Sequence, residues 1–215
     1  MPDVTTADKE ASKLFFENLP ENFVFPSDAV GQRLLKEYGA VFVARGGGVV
    51  APLTVIFENE REVAEFQSSV SKSRKIVGGF EIELQTAAMH ALKKAVSEAE
   101  EKKLSITPRG IDAARRSYSE TVELWASRVN PALAHWVEKG RLKPSQARRI
   151  KSLAPVLQIS EVLRLEEDGI FFSKDFSKSI LYSVAAPGAS QHLSMLAFDA
   201  NEFGDKQVRK ILAEH

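Results

Sequence analysis

Pro187-Gly188-Ala189-Ser190-Gln191-His192-Leu193-Ser194-Met195-Leu196-Ala197-Phe198-Asp199 is the stretch on which the reading of this chain turns. It sets a His and an Asp seven residues apart, with the carboxylate at the end of an apolar run. If Leu196 to Asp199 is a strand, Leu196 and Phe198 face one way and Ala197 and Asp199 the other, because side chains alternate along extended backbone. Small Ala197 then leaves room beside the carboxylate. A neutral imidazole and a carboxylate are both good ligands for borderline-soft zinc, so His192 and Asp199 are candidate metal ligands. Two ligands of one zinc, each at about 2.0–2.2 Å, would lie about 3–4 Å apart.

Upstream, Thr86 to Lys103 has apolar residues at 87, 88, 91, 92, 95, 96 and 99, the spacing of an amphipathic helix. His90 on this helix reads as a structural residue. Leu104 to Thr107 reads as a short strand ended by Pro108. A helix is expected over Ala113 to Val129, stopping at Asn130-Pro131 because a residue before proline resists the α region. Leu133, Trp136 and Val137 then fall on a short helix ending at Gly140. From Lys139 to Lys151 runs the one dense basic cluster, read as the solvated face of a helix opening at Pro144.

Farther out, Ala29 to Tyr38 reads as a helix capped by Gly39, and Ala40–Ala44 and Leu53–Phe57 as strands around a Gly46-Gly47-Gly48 loop. Glu60 to Val70 has helical spacing, and Gly78-Gly79 marks a break. Glu161–Leu165 and Gly169–Phe172 flank Asp168-Gly169 as a β-hairpin would, and Ser179–Val184 offers another strand. Lys206 to His215 is a terminal helix. Helices first and strands later, without a βαβ rhythm, predict an α+β fold on an antiparallel sheet. The expected division is a flexible arm over 1–20, a small α+β segment over 21–78, and a main domain over 79–215.

The central stretch resembles the zinc D-alanyl-D-alanine carboxypeptidases and dipeptidases, whose fold is shared with the Hedgehog signalling domain. Their signature is Ser-x-His-x-x-Gly-x-Ala-x-Asp after a Pro-Gly turn. Ser190, His192, Ala197, Asp199 and Pro187-Gly188 match it, and Met195 stands in place of the glycine. A weaker match is Arg115-Arg116-Ser117-Tyr118, where the family has a Gly-Tyr-Arg-Ser-Tyr-like run. Here Arg115 replaces an aromatic residue, and Thr121 stands where a Gln is common. The likeness covers roughly residues 80–215.

This resemblance implies zinc held by His192 and Asp199, a substrate carboxylate on Arg116, and Ser190 helping to position substrate. A guanidinium suits a terminal carboxylate because its fork donates two parallel hydrogen bonds. It also implies a hydrolase acting on peptidoglycan stem peptides at the cell envelope or in the periplasm, although no signal peptide is visible. The family's catalytic Glu and third ligand, a His, lie well after the Asp. Glu214 and His215 are adjacent and only fifteen and sixteen positions beyond Asp199, so the general base is unassigned. The expectation is a domain short of its C-terminal strand or strands that binds zinc weakly and hydrolyses nothing measurable. The alternative is a non-catalytic module that binds cell-wall peptides through a degenerate metal site.

Composition narrows the classes further. The 215 residues include no cysteine, which excludes disulfides, thiolate metal sites and a Cys nucleophile. Lys plus Arg number 29 and Asp plus Glu 29, so the overall field draws neither nucleic acid nor lipid, and any such binding must be local. The basic cluster has no interleaved aromatic residues for base stacking, and no nucleic-acid partner is expected. No apolar run approaches the ~18 residues of a spanning helix.

Overall fold

The computed structural model describes residues 19–41 and 48–215. Within them the chain forms helices α1 (Ala29–Val41) and α2 (Glu60–Ser69), strands β1 (Lys72–Val77) and β2 (Phe80–Gln85), and helices α3 (Thr86–Glu101), α4 (Tyr118–Glu138), α5 (Pro144–Lys151), α6 (Pro155–Glu167) and α7 (Lys206–Glu214). The architecture is α+β, as expected, but the sheet is a single antiparallel hairpin. No described helix is long and apolar enough to cross a membrane.

The hairpin pairs Lys72 with Gln85 and Val77 with Phe80. Gly78 and Gly79 form its two-residue turn, with φ of +54° and +86°. Positive φ at both positions gives a turn whose twist matches that of the flanking strands. Ile82 and Leu84 of β2 are buried beneath α3 and α7, together with Met89, Leu92, Ala95, Ile106, Val208 and Ile211. A second, larger core joins α1, α4, α5 and α6 through Leu34, Trp125, Val129, Leu133, Ile150, Val162 and Phe172.

Several expected elements differ. Glu161–Leu165 and Gly169–Phe172 do not form a hairpin, because residues 155–167 are helical with Pro155 at the first turn. Ile159, Val162 and Leu163 take the core-facing stripe of that helix. Asp168-Gly169 ends it. The Gly169 N–H donates to the Glu166 carbonyl and the Ile170 N–H to Leu165, with Gly169 at φ +74°. That is a helix C-terminal motif closed by a left-handed glycine.

Ser179–Val184 contains a 3-10 turn at Ile180–Tyr182, while Leu53–Phe57, Leu104–Thr107 and Leu196–Asp199 are not strands. Pro108 and Ala200 form one isolated antiparallel bridge beside the last two. The Ala40–Ala44 strand conflicts with α1, which runs on through Gly39 to Val41. Residues 42–44, the first two glycines of the loop and positions 1–18 of the arm lie outside the described residues.

Helix α4 departs at both ends from the expected span. Ser117 caps it: its Oγ accepts the Glu120 N–H, and Glu120 Oε2 accepts the Ser117 N–H at 2.6 Å. This reciprocal pair fixes the start at Tyr118 and leaves 113–117 as loop. The helix also runs through Pro131 to Glu138. An interior proline costs about 3 kcal/mol. Burying Trp125, Val129, Ala132 and Leu133 on the same face outweighs that cost, since large side chains each contribute about 1.5–3 kcal/mol.

Glu166 links the helical core to the segment that follows. Its side chain is buried, Oε1 accepts the Ile180 N–H at 2.6 Å, and Arg33 of α1 approaches Oε2 at 3.6 Å. Burial pushes its carboxyl above the ordinary value. A folded-state pKa above the unfolded one makes the ionised group a cost at neutral pH, relieved as pH falls through the folded pKa. Wild type should therefore gain stability relative to Glu166→Gln as pH falls from neutral toward the ordinary carboxylate range, measured by urea unfolding of both. A difference independent of pH would show that burial does not govern this carboxyl.

Candidate functional site

The early cap of α4 exposes the backbone of Ala113 and Ala114, and the 190–199 loop docks on it. The Asp199 N–H donates to the Ala113 carbonyl at 2.7 Å, and the Arg116 N–H to the His192 carbonyl at 3.3 Å. His192 Nδ1 bonds the Ala114 carbonyl at 2.5 Å. A carbonyl can only accept, so Nδ1 carries a proton and Nε2 is the ring nitrogen turned toward Asp199. This second bond is the usual way in which a metal-binding imidazole is oriented.

Nε2 of His192 and Oδ2 of Asp199 lie 3.5 Å apart, within the spacing of two donors to one zinc. Arg116 is brought to the same point. Its Nη2 donates to Asp199 Oδ2 at 2.6 Å, and its Nε donates to the Asp112 carbonyl at 3.0 Å. The arginine is largely buried, whereas the Asp199 side chain is 37% exposed. Burial works against ionisation of Asp199, but His192 and Arg116 together outweigh it and hold the carboxyl below its ordinary value. The carboxylate is thus kept charged and open to solvent on one side.

Met195 has φ +56° and a fully buried side chain. Left-handed backbone costs a non-glycine residue roughly 1–2 kcal/mol, and losing a buried Met side chain costs about 2–5 kcal/mol. Packing therefore holds the methionine in a conformation that glycine adopts freely. Ser190 opens the loop, and its Oγ accepts the His192 N–H at 3.4 Å. It lines a cavity of about 70 Å³ with Phe23, Leu35, Val55 and Phe57, a space that neither His192 nor Asp199 borders.

Two glutamines absent from the sequence reading hold the loop in place. Gln67 of α2 donates from Nε2 to the carbonyls of Arg116 and Leu193 at 2.9 and 3.0 Å, and its Oε1 accepts Arg115 Nε at 2.7 Å. Gln85, at the end of β2, donates to the Val50 and Ser194 carbonyls and accepts the Val50 N–H. Thr121 accepts the Gly188 N–H at 3.3 Å, joining α4 to the Pro-Gly turn.

As donors, an imidazole nitrogen and an ionised carboxylate fit two positions of a zinc site. Among the described residues no further His, Asp or Glu joins them to make a group of three. His215 lies elsewhere, its Nε2 2.6 Å from Glu98 Oε2 of α3. Compared with known proteins, the chain matches no family model, no curated protein and no solved structure.

Proposed function

We propose that the chain is a zinc-dependent peptidase of the D-alanyl-D-alanine carboxypeptidase kind, acting on peptidoglycan stem peptides at the cell envelope. The observation that carries this reading is the convergence of His192 Nε2, Asp199 Oδ2 and the Arg116 guanidinium on one point, with His192 Nδ1 held by the Ala114 carbonyl. The left-handed backbone at Met195 supports it, since the resembled signature has glycine at that position.

His192 and Asp199 would hold the metal through one nitrogen and one oxygen. Zinc, when bound, supplies a Lewis acid for the scissile carbonyl and a water of lowered pKa. Arg116 would orient the substrate by its terminal carboxylate. It also borders a groove of about 280 Å³ with Asp112, Glu120, Glu123, Leu124 and Ser127, in which the guanidinium is the one cation among three carboxylates. No residue of the chain is assigned as the group that accepts the water proton.

One observation favours a second reading, a peptide-binding module without catalysis. Arg116 and Asp199 already form a short ion pair, which can stand without metal. Titrating zinc while following the His192 ring resonances by NMR separates the two. The peptidase reading expects a weak, zinc-dependent shift that Asp199→Ala removes, without measurable hydrolysis of a D-alanyl-D-alanine peptide, since only two ligands and no general base are assigned. Peptide binding indifferent to zinc, with unmoved His192 signals, selects the module. In either case Arg116→Lys should weaken peptides with a free C-terminus about tenfold or more while sparing amidated ones, because a single ammonium cannot keep the bonds to Asp199 and the Asp112 carbonyl and still present the further donors of a guanidinium to the substrate. Equal losses for both peptides would make Arg116 structural.

A further inference from the structure

The segment from Lys139 to Ser160 contains six cations (Lys139, Arg141, Lys143, Arg148, Arg149 and Lys151) and no carboxylate. Since the whole chain balances at zero, the remainder is net acidic by six charges. All six cations are exposed. Arg149 is bridged to Glu161 of α6, and Arg141 stacks over Trp136 while donating to the Asp168 carbonyl. Lys139, Lys143, Arg148 and Lys151 have no carboxylate within ion-pair reach among the described residues. They are grouped on α5 and the turn before it.

Directly after this cluster come two exposed aliphatic side chains, Val156 and Leu157, on the first turn of α6, with Leu157 59% exposed. They are held against the end of α5, because Gln158 Nε2 donates to the Ile150 carbonyl at 2.9 Å and Arg149 reaches Glu161. Charge and apolar surface therefore share one corner of the molecule. A soluble polyanion would use the cations alone. An anionic bilayer uses both, since headgroups attract the Lys and Arg heads while short apolar side chains enter the headgroup boundary.

We propose that the α5–α6 corner is a membrane-docking surface for anionic phospholipid. Lys139, Lys143, Arg148 and Lys151 contact phosphates, and Val156 and Leu157 are embedded beside them. The acidic remainder of the chain orients this corner toward a negative surface and the opposite side away from it. Docking by this corner is peripheral and reversible, and it does not depend on the peptidase reading.

The test is co-sedimentation with vesicles. Wild type should bind vesicles of phosphatidylcholine and phosphatidylglycerol in equal parts, and not vesicles of phosphatidylcholine alone. Each cation near a charged surface is worth about 1 kcal/mol, so the triple variant Lys143→Glu, Arg148→Glu, Lys151→Glu should lose about 100-fold or more in partitioning. Leu157→Ser leaves every charge in place and should still lose about fivefold or more, in keeping with the transfer of one aliphatic side chain. Equal sedimentation of wild type with both vesicle types, or with neither, overturns the proposal without any variant. Binding to heparin or to a single-stranded oligonucleotide that matches vesicle binding and ignores Leu157→Ser also overturns it, and assigns the patch to a soluble polyanion. Circular dichroism of these surface variants verifies that the fold is intact.

Discussion

Replacing Gly188 with alanine is expected to lower the stability of this protein by about 3–5 kcal/mol, a large part of the 5–15 kcal/mol typical of a domain. Three effects combine. Gly188 sits at φ +77°, which costs a residue with a Cβ roughly 1 kcal/mol. An added Cβ would lie 1.9 Å from the Phe57 carbonyl oxygen, so backbone must move, and forcing such a shift in a packed region costs typically 1–3 kcal/mol. Movement would also break the hydrogen bond from the Phe57 N–H to the Gly188 carbonyl, now 2.9 Å, which contributes about 0.5–1.5 kcal/mol. Gly79→Ala is the natural control. It has φ +86° with nothing within 4 Å, so only the conformational cost applies. Urea unfolding of both variants measures the difference. If Gly188→Ala loses no more than Gly79→Ala, segment 51–57 yields easily and does not brace the 188–199 loop.

The second large effect is expected at Gln67. Methionine has nearly the same length and volume, so Gln67→Met leaves little cavity and removes only the polar partners. The carbonyls of Arg116 and Leu193 then lose their donor, and Arg115 Nε loses its acceptor. The Arg115 side chain is 48% exposed and can turn to water, so the two carbonyls, at about 1–3 kcal/mol for each buried polar group left without a partner, give a loss of about 2–6 kcal/mol. Because Gln67 bonds both the segment carrying Arg116 and the loop carrying His192, the preference for free over amidated peptide termini should fall in the same variant. Wild-type stability together with wild-type peptide preference would mean that water satisfies these carbonyls and that Gln67 is incidental.

How far the chain could be read from its residues differed by element, for identifiable reasons. Helix α3 was legible because its apolar residues recur at helical spacing and nothing competes with that signal. Helix α5 announced its start with Pro144. The hairpin was missed because β1 reads Lys-Ser-Arg-Lys-Ile-Val and is exposed along most of its length. With only one partner strand it buries little, so its pattern carries almost no apolar alternation. Asp168-Gly169 misled for the opposite reason, because the same left-handed glycine serves a hairpin turn and a helix terminus. The periodicity of Ile159, Val162 and Leu163 was the signal that distinguished them. At α4 the Ser117–Glu120 capping pair marks the true start in the sequence, while the pre-proline rule at Asn130 points to an end that the packing of Ala132 and Leu133 overrides.

In the site, His192 and Asp199 were legible because they lie on one short loop, and Arg116 because a local run of residues flagged it. Gln67 and Gln85 were not. Each acts on a loop remote in sequence, and a lone glutamine has no spacing that reveals whose carbonyl it will meet.

The ion pair between Arg116 and Asp199 joins residues 83 apart, whereas His192 and Asp199 are separated by seven. Closing the longer loop carries an entropic cost of about 4 kcal/mol by the logarithmic scaling of loop closure. A metal held only by His192 and Asp199 would fasten a loop that is already short. It would stabilise the folded chain by mass action, as the logarithm of one plus its concentration over its dissociation constant. The arginine, by contrast, acts as a cross-link between the two parts of the site.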